Sequence, residues 1–291
     1  MQWLSVRALL RLGRLTSLVL FAILGTSALM YWSPGYFADA REMDGQHASS
    51  TRAELDRLKE QQGSLASLLS SEAGAWCHGN LGQSREFGLP VSTLLQERAL
   101  PSLRLLASGV LAGWSIAVLF AIPLSLRRSL RADAVVTTCT ALVLALPVGV
   151  LATVCLVANF GGPSLVLAAV VAVRDFKLLY RILQQIWRAP FLLHAEAQGL
   201  TRTQILRTHI GLILRRELMS LCFMSFTLAL SVLVPVEVVF DVPGLGHMAW
   251  NAAMNRDLPV LVGVTLVMAT CVGFAGLFLE PHKASGAPQC A

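Results

Sequence analysis

"HAEAQGLTRTQILRTHIGLILRRE", His194 to Glu217, interrupts an otherwise apolar half of the chain with four arginines and two histidines. The residues up to Gln198 are good helix formers. Gly199 then stands where a left-handed residue would end a helix. Thr201 and Gln204 have capping-box spacing and predict a second helix from about Arg202 to Leu214. Ile205, Leu206, His209, Ile210 and Ile213 fall near one face of it, with Arg202, Arg207 and Arg215 on or near the other. The stretch predicts a bent helix pair, apolar on one side and basic on the other. Such an element lies on lipid headgroups, docks into a protein groove, or serves as a solvated connector.

On either side the chain is greasy. It is 55% hydrophobic and 14% charged with mean hydropathy +0.64, against about 25% charged for a soluble domain. Crossing a hydrocarbon core takes roughly 20 apolar residues. Six runs approach that length: Leu15–Trp32, Leu105–Leu126, Val135–Val157, Pro163–Leu183, Leu218–Val236 and Leu258–Leu279. Backbone amides in lipid must be satisfied within the segment, so each predicts a helix. The fold class expected is all-α, with about six membrane helices. The first run is longer than a signal-peptide core. An uncleaved anchor is therefore expected.

Charge sets an orientation. Arg7, Arg11 and Arg14 precede the first run, and Arg127, Arg128 and Arg131 separate the second and third. Lys177, Arg181, Arg188, Arg202, Arg207, Arg215 and Arg216 flank or fill the stretch between the fourth and fifth. With both termini in the cytoplasm all of these fall inside, as the positive-inside rule asks. The net charge of +6 is then an inward bias, and no nucleic-acid partner is implied.

The segment between the first two runs, 33–104, is expected outside. In it "STRAELDRLKEQQGS" reads as a short surface helix capped by Thr51 and Glu54 and stopped at Gly63. "GNLGQS" (Gly79–Ser84) reads as a turn-rich loop. Four of the six cysteines fall in apolar runs, and Cys77 with His78 makes no ligand set. No metal or cofactor is expected. G-x-S-x-G, H-E-x-x-H and the phosphate loop G-x-x-x-x-G-K-[ST] are absent, so the chain has no recognisable enzyme motif and no nucleotide site of its own.

"AEAQGLTRTQILRTHIG" resembles the cytoplasmic loop of membrane subunits from binding-protein-dependent ABC transporters, in the branch that imports dipeptides, oligopeptides and nickel. "GNLGQS", "LPSL" (Leu100–Leu103) and "VEVVFDVPGLGHMAWNAAMNRDLPVLVGV" (Val236–Val264) support that branch in the expected order. The last aligns Glu237, Phe240, Pro243, Gly244, Leu245, Gly246, Asp257, Pro259 and Gly263 with the family pattern.

The resemblance implies a type I importer permease. Two such subunits, identical or not, line a path, two ATPase subunits sit below, and an external binding protein delivers peptide-like or related solutes. Glu196, Ala197, Gly199, Thr201 and His209 would belong to the loop that couples to the ATPase. Glu237, Pro243, Gly244, Gly246 and Asp257 would form an outer-loop motif, Glu237 as a brace of the "PGLG" turn or as an ionisable residue at membrane depth, the two glycines permitting tight or left-handed backbone. Arg174 and Asp175 read as the inner end of the fourth helix, or as contacts on the substrate path. The organisation expected is a cytoplasmic N-terminus and first helix (1–32), an outer segment (33–104), a five-helix core (105–283) holding the coupling loop at about 184–217, and a cytoplasmic tail (284–291). Glu217 stands where the family has proline, "SPGYFAD" replaces a "PGD"-like turn, and the sixth helix is short before "EPHK". A stand-alone transporter or channel, and a degenerate permease acting as scaffold or sensor, are the competing readings.

Overall fold

The computed structural model describes residues 2–32, 81–84, 86–126, 130–187, 204 and 211–279. Among them the chain is helical, with one isolated antiparallel bridge between Gln83 and Pro90. The helices are α1 (Gln2–Trp32), α2 (Val91–Leu126), α3 (Leu130–Ala145), α4 (Val148–Val157), α5 (Pro163–Trp187), α6 (Gly211–Val239), α7 (Leu245–Met254) and α8 (Leu258–Leu279). The proposed coupling loop, with Glu196, Ala197, Gly199, Thr201 and His209, lies outside the described residues, as does the short helix expected after Thr51.

Contacts divide the chain into two units. The first holds Met1–Pro101 and Pro243–Gly273, the second Ser102–Val242 and Phe274–Ala291. In the first, Val91, Leu94 and Leu95 of α2 form a buried cluster with Leu245, Met248 and Ala252 of α7 and Val260 and Val264 of α8. In the second, α5 is the central helix, packed against α3, α4 and α6. Its Leu179, Tyr180 and Leu183 are buried with Ala121 of α2 and Leu214 and Leu221 of α6. Along α2, a Cβ at Gly109 would run into Leu167, and one at Gly113 would meet Ala168 O and Val171 Cβ, each at 2.9 Å. The two glycines, one helical turn apart, thus let α2 and α5 approach almost to backbone contact.

Three helical segments among the described residues are long and apolar enough to cross a membrane: Val91–Ser125, Glu217–Val239 and Leu258–Gly276. The expected third span, Val135–Val157, is not one straight helix. It breaks between Ala145 and Val148 with a bend of 84°, and counts as a fourth span only if both arms are taken together. Pro147 is the cause. It is extended (φ −60°, ψ 135°), caps α4 without a side-chain hydrogen bond, has no N–H to continue α3, and disfavours helical backbone at Leu146. Among its described residues α1 contributes a shorter apolar helix, Gly13–Leu29, and α5 carries Arg174, Asp175, Lys177 and Arg181 along its length. The second helix also begins earlier than its apolar run, at Val91 rather than Leu105.

Candidate functional site

The motifs that stand apart in the sequence meet as two buried serine–carboxylate clamps. In the first unit, Ser84 closes "GNLGQS" and Asp257 opens α8. The Ser84 hydroxyl donates to Asp257 Oδ2 at 2.5 Å, and the Glu86 N–H reaches the same oxygen at 3.4 Å. Ser84 Oγ in turn accepts from the Phe87 N–H at 3.0 Å, which leaves its own proton for the carboxylate. Asp257 is 1% exposed. Its backbone carbonyl also accepts from the Leu261 N–H, the first bond of α8. Gly82 holds the loop's turn with φ +81°, its Cα side facing Pro259.

In the second unit, Ser102 of "LPSL" donates to Glu237 Oε1 at 2.6 Å. Glu237 is fully buried and Ser102 is 1% exposed. Glu237 lies in the last turn of α6, where its backbone carbonyl accepts from Val242 N at 2.9 Å while Asp241 N bonds Val238 O. With Asp241 left-handed (φ 51°), this is a Schellman ending in which aspartate takes the place usually given to glycine. The pattern recurs after α4, with Asn159 left-handed and Phe160 N bonded to Cys155 O, and after α7, with Arg256 left-handed and Asp257 N bonded to Ala252 O.

Gly244 and Gly246 are placed otherwise than expected. Gly244 is extended (φ −113°, ψ −173°) at the start of α7, a conformation open to any residue. Gly246 is inside α7 and is absent from the left-handed glycines, which are Gly82, Gly88 and Gly161 among the described residues. The left-handed turns at this loop belong to Asp241 and Arg256, because each follows a helix end. Both glycines are buried, while Pro243 is exposed.

Arg174 and Asp175 sit at the middle of α5, not its inner end, and both turn to α6. Arg174 Nη1 donates to Met224 O at 3.0 Å, and Ser225 Oγ lies 2.5 Å from Asp175 Oδ2. Asp175 is 2% exposed. The arginine is therefore not a snorkelling side chain at a helix end. It supplies a donor to a main-chain carbonyl of the neighbouring helix.

No catalytic pairing of nucleophile and base is assembled by these contacts. What they do is mechanical: each buried polar group joins two segments distant in sequence, and each would be costly to leave unpaired in an apolar surround. Among the described residues, no group of three or more histidine, cysteine or acidic side chains is placed to hold a metal.

A helical chain with apolar spans and buried polar clamps between loops and helix ends is the frame of a membrane protein. Residues 109–280 match the family described as the binding-protein-dependent transport system inner membrane component, and the chain belongs to that family. It is a membrane permease subunit of an ABC-type transport system. Two curated relatives, from Brucella ovis and Brucella suis biovar 1, are each 27% identical to it over 298 aligned positions, covering 91% of this chain and 91% of theirs. Each bears the name "Putative peptide permease protein".

Proposed function

We propose that this permease subunit imports peptide-like solutes, as one of two membrane subunits that together line the path. The observation behind the cargo is the likeness, over 91% of the chain, to two relatives named as peptide permeases. Two ATPase subunits supply the work, since the chain has no phosphate loop, and an external binding protein delivers the solute. Glu196, Ala197, Gly199, Thr201 and His209 form the ATPase-coupling joint, within about 184–217. Glu237, Pro243, Gly244, Gly246 and Asp257 form the outer-loop motif. Arg174 and Asp175 act on the path by fixing α5 to α6 and do not grip the solute, which is the reading their contacts favour. Both termini lie in the cytoplasm and 33–104 outside, because the arginines sort that way.

The test is uptake of labelled di- and oligopeptides by vesicles holding the chain with its copurified partners. ATP-dependent uptake that needs the binding protein is the expected result. Uptake by the chain alone, driven by an ion gradient, would favour a secondary transporter, and substrate-independent ATPase activity without uptake would favour a scaffold. Cysteines introduced singly as Glu60→Cys and Ile205→Cys should label from opposite sides of the membrane.

A further inference from the structure

Ser225 Oγ is within hydrogen-bond distance of two oxygens: Asp175 Oδ2 at 2.5 Å, and Leu221 O of its own helix at 2.7 Å. A serine hydroxyl has one proton and can donate it to one of them. If Asp175 were ionised, both neighbours would be acceptors, and one of these two short contacts would lack a proton. If Asp175 carries a proton, the count closes. Its Oδ2–H donates to Ser225 Oγ, and the serine donates back to Leu221 O. This second bond is the common return bond of a helical serine.

The surroundings agree. Asp175 is 2% exposed, and its Oδ1 is buried with no hydrogen-bond partner. A bare oxygen of a neutral acid costs far less in an apolar surround than half of an unpaired charge. Arg174, the adjacent cation, spends its Nη1 on Met224 O. Other charged or titratable side chains described on α5 are Lys177, Tyr180 and Arg181. Those described on the neighbouring helices are Cys222, Glu217 and Glu237 of α6, Cys139 of α3, Cys155 of α4, and Glu97, Arg98 and Arg104 of α2. None of these is bonded to the Asp175 carboxyl.

The Ser84–Asp257 clamp makes the contrast. Asp257 Oδ1 is also buried without a partner, so that feature alone decides nothing. But there the Phe87 N–H feeds Ser84 Oγ and the Glu86 N–H feeds the carboxylate. Every donor runs toward Asp257. At Asp175 the polarity of the chain of bonds is reversed.

We infer that Asp175 is a proton-binding site within the helix bundle, a neutral carboxylic acid that ties α5 to α6 through Ser225 and Leu221 O. The proton comes from water, and the bond exists only while the proton is held. Its contribution is full at low pH and is lost as pH rises through the site's own titration, when the acid becomes a buried carboxylate facing a serine that has only one proton to give.

The test is infrared difference spectroscopy on the full chain in lipid vesicles, which needs neither cargo nor partners. The spectrum of wild type minus Asp175→Asn should contain the C=O stretch of a protonated carboxyl. That band should shift in D2O, move again in Ser225→Ala, and fade as pH is raised. Asp175→Asn, whose amide can still donate to Ser225 Oγ, should melt with the wild type. Asp175→Leu, which has no donor, should melt lower. A difference spectrum holding only carboxylate bands at neutral pH overturns the assignment, as does an Asp175→Asn protein that melts as low as Asp175→Leu.

Discussion

Ser102 and Glu237 are 135 residues apart in the chain, and the serine hydroxyl stands 2.6 Å from the glutamate carboxyl with both groups buried. The bond fastens the N-terminal part of α2 to the last turn of α6. The "LPSL" and "VEVVF" stretches are thus two halves of one contact.

Removing the serine leaves a buried carboxyl short of a donor. Ser102→Ala should cost about 1–3 kcal/mol of stability, the usual penalty for a buried polar group that loses its partner. Glu237→Ala removes the more deeply buried partner and opens a void, so its melting temperature should fall further than that of Ser102→Ala. Thermal unfolding in detergent, followed by circular dichroism, reads both. Equal melting of all three proteins would mean that the clamp carries no stability.

The second clamp predicts a different asymmetry. Gly82 has φ +81°, and a Cβ there would stand 3.7 Å from Pro259. Space is adequate but the backbone is left-handed, so Gly82→Val should be strained. Gly244→Val meets no such conformational barrier, because Gly244 is extended. Gly82→Val should therefore lower uptake and melting temperature at least as much as Gly244→Val. Normal behaviour of Gly82→Val beside a failed Gly244→Val would remove backbone strain as the explanation.

The glycines of α2 make the sharpest steric prediction. A methyl group at Gly113 would press on Ala168 O and Val171 Cβ, both at 2.9 Å. The backbone oxygen cannot swing away as a side chain could. Gly113→Ala should cost about 1–3 kcal/mol through overpacking, while Gly149→Ala, where nothing lies within 4 Å of the added carbon, should be neutral. Thermal shifts of the two variants, compared side by side, give the answer.

At the proposed coupling joint, transport should be separable from folding. The sequence predicts a left-handed helix end at Gly199, where a branched Cβ would be disfavoured. Gly199→Val and Glu196→Lys should insert normally and leave the ATPases able to hydrolyse ATP, while uptake falls. Measured together, wild-type uptake and normal ATPase stimulation in both variants would reduce the stretch to a connector.

Much of the helical frame was legible in the sequence because apolar length is a direct consequence of hydrocarbon thickness. The break at Pro147 was less so: both arms are apolar, and a hydropathy average runs straight over the one residue whose missing N–H decides the matter. The early start of α2 was hidden for the opposite reason. "VSTLLQERALPSL" is a helix whose polarity reflects solvent, not backbone.

At the site, residue types were visible and partnerships were not. Nothing local to Ser84 points to Asp257, 173 residues on. Glycine is the usual marker of left-handed backbone, yet near α7 Asp241 and Arg256 adopt it. Helix endings demand a conformation, and neighbouring contacts decide which side chain bears it. Asp175 looked like a helix-end charge beside an arginine, and only the position of Ser225 on another helix gives it a role.

The 84° elbow between α3 and α4 makes bilayer thickness matter. At 1.5 Å per residue, the two arms span roughly 24 and 15 Å, each less than the roughly 30 Å of hydrocarbon. A bent segment cannot recover that depth by tilting as a straight rod does. Where such an elbow crosses the bilayer, the lipid tails beside it shorten or splay to keep its apolar side chains dry, at a cost that grows with mismatch. The permease should then run fastest in membranes of shorter acyl chains and slow as the chains lengthen. Vesicles of graded lipid length would trace that curve, and replacing Pro147 with alanine should flatten it.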